Sequence, residues 1–165
     1  MSDGFKILQK QKKWDLRFLS LARLVSTWSR DPSTQTGAVI VRPNKTVVSL
    51  GFNGFPQQMS DAPELYANRE VKYSRIVHCE VNALIFARQS VEGCTLYTYP
   101  FMSCDRCVVQ MIQAGALRFV YPKASAEHMN RWADAFARTE SYMKEAFCSF
   151  TEYNLDTKWC NSTYS

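Results

Sequence analysis

Two short motifs in this chain hold residue types that bind a metal and move protons: His78-Cys79-Glu80 and Cys104-Asp105-Arg106-Cys107. Each is expected to open a helix. A helix start carries free N–H groups and partial positive charge, which lower the pKa of a thiol there. Residues three apart at such a start face the same way, so Cys104 and Cys107 can grip one ion. His78, from the other helix start, supplies a third ligand. Three N/S ligands with an open fourth position make a catalytic zinc arrangement, whereas a structural site fills all four. Glu80, two residues past His78, then sits beside the fourth position without being a ligand. Zinc brings the pKa of bound water to about 7, and a carboxylate alongside can take that proton and hand it on. The chemistry this serves is hydrolytic attack on an electron-poor carbon.

Taken singly, each residue has a plainer reading. A lone histidine is usually a satisfied hydrogen-bonding group, a glutamate in a first helical turn favours the dipole, and Asn53 in Gly51-Phe52-Asn53-Gly54 suits a turn. The two motifs at two helix starts, in this order, assign them to zinc hydrolysis. The remaining cysteines need no such role. Cys94 and Cys148 belong to strand edges in the core, Cys160 is a free thiol in the tail, and His128 is a surface histidine without a partner.

The elements that must position these residues follow from periodicity. Trp14, Phe18, Leu21, Ala22 and Val25 recur at helical spacing over about 14–28, and Asp31-Pro32 stops that helix. Residues 37–41 and 46–52 form a hairpin across Arg42-Pro43-Asn44-Lys45. A short helix is expected near 66–73, a longer one over 78–89, a strand at 95–99, and a helix over 104–114 capped by Gly115. A strand at 117–121, a strong helix from 124 to 138 continuing to 146 after a break, and a last strand at 147–151 complete the order. Alternating helices and strands require crossover connections, hence parallel neighbours with helices on both faces. The expected fold is α/β: a three-layer α/β/α sandwich around a mixed sheet of about five strands.

The 165 residues make one domain over 1–165, with a core of about 14–151, a basic lead-in before it frayed at its start, and a loose polar tail over 154–165. A hydrophobic share of 46% and a charged share of 21% exclude disorder, collagen and coiled coil. No apolar stretch approaches the ~20 residues of a membrane span, and residues 1–13 lack the apolar core of a secretion signal. The cysteines are therefore read as thiols, and the expected location is cytoplasmic. A net charge of +5 suits an anionic small molecule, or nucleic acid, for which it is modest, or no particular partner.

The likeness to a known family is wider than the metal motifs. Ser29-Arg30-Asp31-Pro32-Ser33-Thr34-Gln35-Thr36-Gly37-Ala38-Val39-Ile40-Val41, Gly51-Phe52-Asn53-Gly54-Phe55-Pro56, His78-Cys79-Glu80-Val81-Asn82-Ala83-Leu84 and the helix from Cys107 to Gly115 resemble segments of the zinc-dependent cytidine deaminase superfamily, and within it the deoxycytidylate (dCMP) deaminase branch. The match spans about 14–122. The resemblance implies hydrolytic deamination of dCMP to dUMP with release of ammonia, supplying dUMP for thymidylate synthesis. It implies one zinc ion per chain on His78, Cys104 and Cys107. Glu80 would shuttle protons, Asn53 would hydrogen-bond the deoxyribose, and the Cys79 N–H would meet O2 of the base. Ser29 and Arg30 would take the phosphate. A homo-oligomer, favoured as a hexamer and responsive to dCTP and dTTP, is implied as well, with no membrane or nucleic-acid partner. Trp132, Phe136 and Tyr142 offer apolar area for packing between subunits.

Some positions depart from the family pattern. Cys79 stands where Ala is usual, Ser103 where Pro is usual, and Trp28 where some relatives carry a basic residue. The loop Pro100-Phe101-Met102 can shape the base pocket differently, for instance towards a 5-substituted cytosine. Residues 55–77 contain no Cys or His, so a second zinc site is not expected there. The competing reading is a deaminase acting on a cytosine or adenine base within RNA or single-stranded DNA.

Overall fold

A computed structural model describes residues 3–155 and residue 159. The elements in chain order are α1 (Asp3–Ser26), β1 (Gly37–Val41), β2 (Val47–Phe52), α2 (Pro63–Ala67), α3 (Arg69–Arg75), α4 (Cys79–Ala87), β3 (Thr95–Tyr99), α5 (Asp105–Gln113), β4 (Arg118–Pro122), α6 (Ala126–Glu145) and β5 (Ser149–Tyr153). They form one five-stranded sheet in the order β2-β1-β3-β4-β5. A tight turn closed by the Lys45 N–H on the Arg42 carbonyl lets β1 and β2 pair antiparallel. β1 also pairs antiparallel with β3. Crossovers through α5 and α6 make β3, β4 and β5 parallel.

Strand alternation divides the core between two faces. Val39, Val41, Tyr97 and Val120 pack against Phe18, Leu19 and Ala22 of α1. Ala38, Ile40, Leu96 and Phe119 face α4, α5 and α6 through Ala83, Val108, Met111 and Phe136. The result is the expected three-layer sandwich. Two glycines bring the helices onto bare backbone. A Cβ on Gly37 would stand 2.1 Å from the Ala22 carbonyl, and one on Gly51 would stand 2.2 Å from that of Cys79.

Asp15 of α1 is fully buried and accepts hydrogen bonds from Gln11, Tyr97, Tyr153 and both terminal nitrogens of Arg118, at 2.7–2.8 Å. It ties α1 to β3, β4 and β5. Burial pushes its carboxyl upward, but the Arg118 guanidinium and the other donors outweigh that and hold it below the usual range.

The structure corrects several sequence expectations. α1 begins at Asp3, not near 14; residues 3–10 are exposed and extend the helix without an apolar stripe, so no buried periodicity marks them in the sequence. The expected helix at 66–73 is two helices divided at Asn68, whose side chain caps the second. α4 stops at Ala87, where Arg88 adopts a left-handed conformation. The break in α6 falls at Trp132 (φ −134°, ψ 16°), and the last strand reaches Tyr153. The tail is not wholly loose, since Leu155 and Trp159 pack against the α1 side of the core. Cys94 and Cys148 are buried as expected, and Cys160 lies outside the described residues. Phe136 is buried in the core, and Trp132 and Tyr142 pack against that core while remaining partly exposed.

Candidate active site and metal centre

His78 and Cys104 each occupy the residue just before a helix, in extended backbone, and neither side chain caps its own helix. Both are therefore free to turn towards each other. His78 Nδ1 lies 3.3 Å from Cys107 Sγ and 3.5 Å from Cys104 Sγ. The three ligand atoms fall within 4.8 Å of one another, and no other such group of metal-binding side chains occurs among the described residues. Zinc bonds of about 2.0–2.3 Å at tetrahedral angles require roughly 3.5 Å between ligands, so these residues fit the ion.

The electrostatics agree. The neighbouring Cys107 thiol, and then His78, stabilise the Cys104 thiolate against its own burial and bring its pKa down to about 4. That thiolate beside it keeps the Cys107 thiol protonated without metal. His78 is pushed up, first by its hydrogen bond to Cys104. Metal binding removes the remaining thiol proton, that of Cys107.

Glu80, in the first turn of α4, is buried, and its Oε2 accepts from the Cys79 thiol at 3.3 Å. Burial and the Glu80 charge push the Cys79 thiol well up, so it stays a neutral donor. Asn53 is buried at the end of β2 and pins the 29–36 loop. It donates to Asp31 Oδ2 and the Thr34 carbonyl, and its Oδ1 accepts from the Thr36 N–H at 2.8 Å. Asp31 in turn holds Lys72 Nζ at 2.7 Å, and both are buried. Burial raises the Asp31 carboxyl, but the Lys72 hydrogen bond and the Ser33 donors bring it below the ordinary value.

These groups share one cavity of about 140 Å³. His78, Cys79, Glu80, Cys104 and Asn53 line it, with Asp31, Thr34, Thr36 and Lys72 from the loop side. Phe101, Met102, Arg131, Trp132 and Phe136 close it from the α6 side. Cys107 holds the buried side of the ligand cluster. Ser29 and Arg30 do not line the cavity. The Ser29 hydroxyl is buried and donates to the Asn53 carbonyl at 2.7 Å. Arg30 is exposed, 3.8 Å from Asp61.

His128 is not the isolated surface residue expected. Its ring lies 4.6 Å from Phe101 and 5.5 Å from Trp132, and it contacts the Ser125 hydroxyl. In the sequence Asp31 reads as a helix stop and, with Thr34 and Thr36, as part of the 29–41 resemblance, with no site role assigned to these three or to Lys72 and Arg131. The aromatic spacing His128, Trp132, Phe136 was the available signal for the α6 wall.

Comparison with known proteins agrees with this geometry. Residues 12–123 match the family model described as cytidine and deoxycytidylate deaminase zinc-binding region. An uncharacterized deaminase in the luxG 3′ region of Aliivibrio fischeri is 38% identical over 144 residues, covering 87% of this chain and 96% of that protein. The deoxycytidylate deaminase of Mus musculus is 33% identical over 117 residues, 66% of this chain and 64% of that protein. Among solved structures, the dCMP deaminase of cyanophage S-TIM5 in complex with dCMP and dUMP superposes with a TM-score of 0.65 at 20% identity, covering 93% of this chain and 99% of that one. Acinetobacter baumannii RibD gives 0.57 at 19% identity, covering 85% of this chain and 35% of that one. These two show the shared fold. With its zinc ligands His78, Cys104 and Cys107 in place, the chain belongs to the cytidine and deoxycytidylate deaminase zinc-binding family.

Proposed function

We propose that this protein hydrolyses dCMP to dUMP and ammonia, the dUMP feeding thymidylate synthesis. The observation that carries the reading is a buried carboxylate, Glu80, in the wall of the same cavity as a three-ligand His/Cys/Cys cluster. When bound there, zinc supplies a water that is nucleophilic at neutral pH. Every proton transfer falls to Glu80. It takes one proton from the attacking water and delivers it to N3 of cytosine, then takes the second proton from the same oxygen and gives it to the amine that leaves C4 as ammonia. The Cys79 thiol holds Oε2 while this happens.

The base and sugar have natural partners. Cys79 is the first residue of α4, and His78 does not cap the helix with its side chain, so the Cys79 N–H is available to O2 of the base. Asn53 has given both amide hydrogens to the loop, and its Oδ1 retains a lone pair for a sugar hydroxyl. Phe101, Trp132 and Phe136 supply an aromatic wall for the base. The names of the mouse and cyanophage relatives support the same substrate.

A homo-oligomer with dCTP and dTTP as effectors belongs to this reading, supported on the molecule by exposed Ile85 and Phe86 on α4. No helix among the described residues is long and apolar enough to cross a membrane, which accords with action in the cytoplasm. The test is ammonia release from dCMP, dCTP, cytidine and a cytosine-containing oligonucleotide side by side. Turnover of dCMP above the others is expected. Preference for the oligonucleotide would replace this reading with the nucleic-acid one.

A further inference from the structure

Two cations line the cavity, and they differ in what they have left to give. Lys72 is buried, and its ammonium is committed to Asp31 and the Ser33 hydroxyl. The Lys72 and Asp31 charges cancel. Arg131 is in the opposite condition. Its ion-pair partner, Glu127, stands 3.8 Å away, beyond hydrogen-bond distance, and is largely exposed. Its guanidinium lies 4.5 Å over the Trp132 ring, a cation–π contact that leaves its N–H donors unused. Two further observations fall in the same cavity. The Thr34 hydroxyl oxygen is buried without a hydrogen-bond partner. The α6 helix leaves helical geometry at Trp132, although it contains neither Pro nor Gly. The indole is packed among Phe101, His128 and Phe136, and the break accompanies the placing of Arg131 and Trp132 on the cavity wall.

A planar cation with unused donors and an unpartnered hydroxyl, in a chamber whose other positive charge is already neutralised, are suited to a compact anion. A phosphate monoester carries about −1.5 to −2 charge at neutral pH and takes paired N–H donors from a guanidinium. We infer that Arg131 receives the 5′-phosphate of the nucleotide, with the Thr34 hydroxyl as a second donor, and that Arg30 does not. This assignment rests on the nucleotide reading above. It makes Arg131 the residue that separates a nucleotide from a nucleoside, while the zinc ligands and Glu80 treat both alike.

The experiment compares dCMP with deoxycytidine in turnover, and dUMP with deoxyuridine in calorimetric binding, for the zinc-loaded protein and its Arg131→Gln, Arg131→Lys and Arg30→Gln variants. Loss of a charge-assisted hydrogen bond corresponds to about a ten- to a hundredfold change. Arg131→Gln is therefore expected to raise KM for dCMP and Kd for dUMP by about that factor. Deoxycytidine and deoxyuridine, which have no phosphate to lose, keep their values. Arg131→Lys recovers part of the loss and preserves the packing of the stem over Trp132. Equal losses on nucleotide and nucleoside, or a phosphate-selective loss carried by Arg30→Gln, would overturn the assignment. Wild-type protein that turns over deoxycytidine as well as dCMP would remove the nucleotide reading itself, and the role of Arg131 with it.

Discussion

Gly51 of β2 lies so close to Cys79 of α4 that an added Cβ would stand 2.2 Å from the Cys79 carbonyl oxygen and 2.4 Å from the Ala83 nitrogen. Both neighbours are backbone, so neither can swing aside. The strand thereby sets the height of the turn that carries His78, Cys79 and Glu80. Gly51→Ala is expected to destabilise the fold by about 1–3 kcal/mol through overpacking. It is also expected to lower bound zinc, because α4 must lift from the sheet and take His78 with it. Thermal melting and metal analysis of the same preparation check both effects. A variant with full zinc content and an unchanged Tm would show that α4 is not held in place here.

Glu80 is buried and accepts from the thiol beside it, yet it belongs to no ion pair among the described residues. The proposed proton shuttle is therefore not also a structural bridge among the described residues. Glu80→Gln should keep the fold and one zinc per chain while turnover falls by about 10²–10⁴-fold or more, since one group serves several proton transfers. Zinc content measured beside the rate separates loss of the proton shuttle from loss of the metal. Near-normal turnover would reassign the shuttle to another group.

Stability at low pH should report on Asp15. Its folded-state pKa lies below its unfolded value, so its contribution is fully present above the unfolded value, near 4. That contribution is lost as pH falls through the folded value. Asp15→Asn leaves Arg118 without its partner and should cost about 3–5 kcal/mol at neutral pH. The gap between variant and wild type should narrow as the pH drops below about 4. Urea unfolding at several pH values measures it. A gap that stays constant would mean that packing around residue 15, and not its charge, is what the substitution removes.

The metal ligands were legible because their placement is local. His78 and Cys104 immediately precede helices, and a residue there has few directions in which to point. The sheet was legible for a similar reason, since a four-residue turn and two helical crossovers leave little choice of pairing. What escaped detection is set by contacts distant in sequence. Asp31 read as a helix stop, yet its partner Lys72 lies 41 residues away. Arg131, four residues after Glu127, resembles an ordinary surface pair, and nothing in the spacing reveals that the two stand apart at 3.8 Å. The break at Trp132 has no Pro or Gly to announce it. Its neighbours include Phe101, which arrives from the loop after β3.

The partners of Asp15 also impose an order of events on a chain made from its N-terminus. Gln11 is synthesised before it, but Tyr97, Arg118 and Tyr153 follow 82, 103 and 138 residues later. Until Arg118 has emerged, docking α1 on the growing sheet would bury a carboxylate without its countercharge. At about 5–20 residues per second, that is a wait of several seconds at least. During it the apolar stripe of α1 has no finished surface to cover. The segment that reads as the start of the fold is thus among the last to settle, and the zinc cluster, whose three ligands lie between 78 and 107, is translated in full before α1 can be locked down.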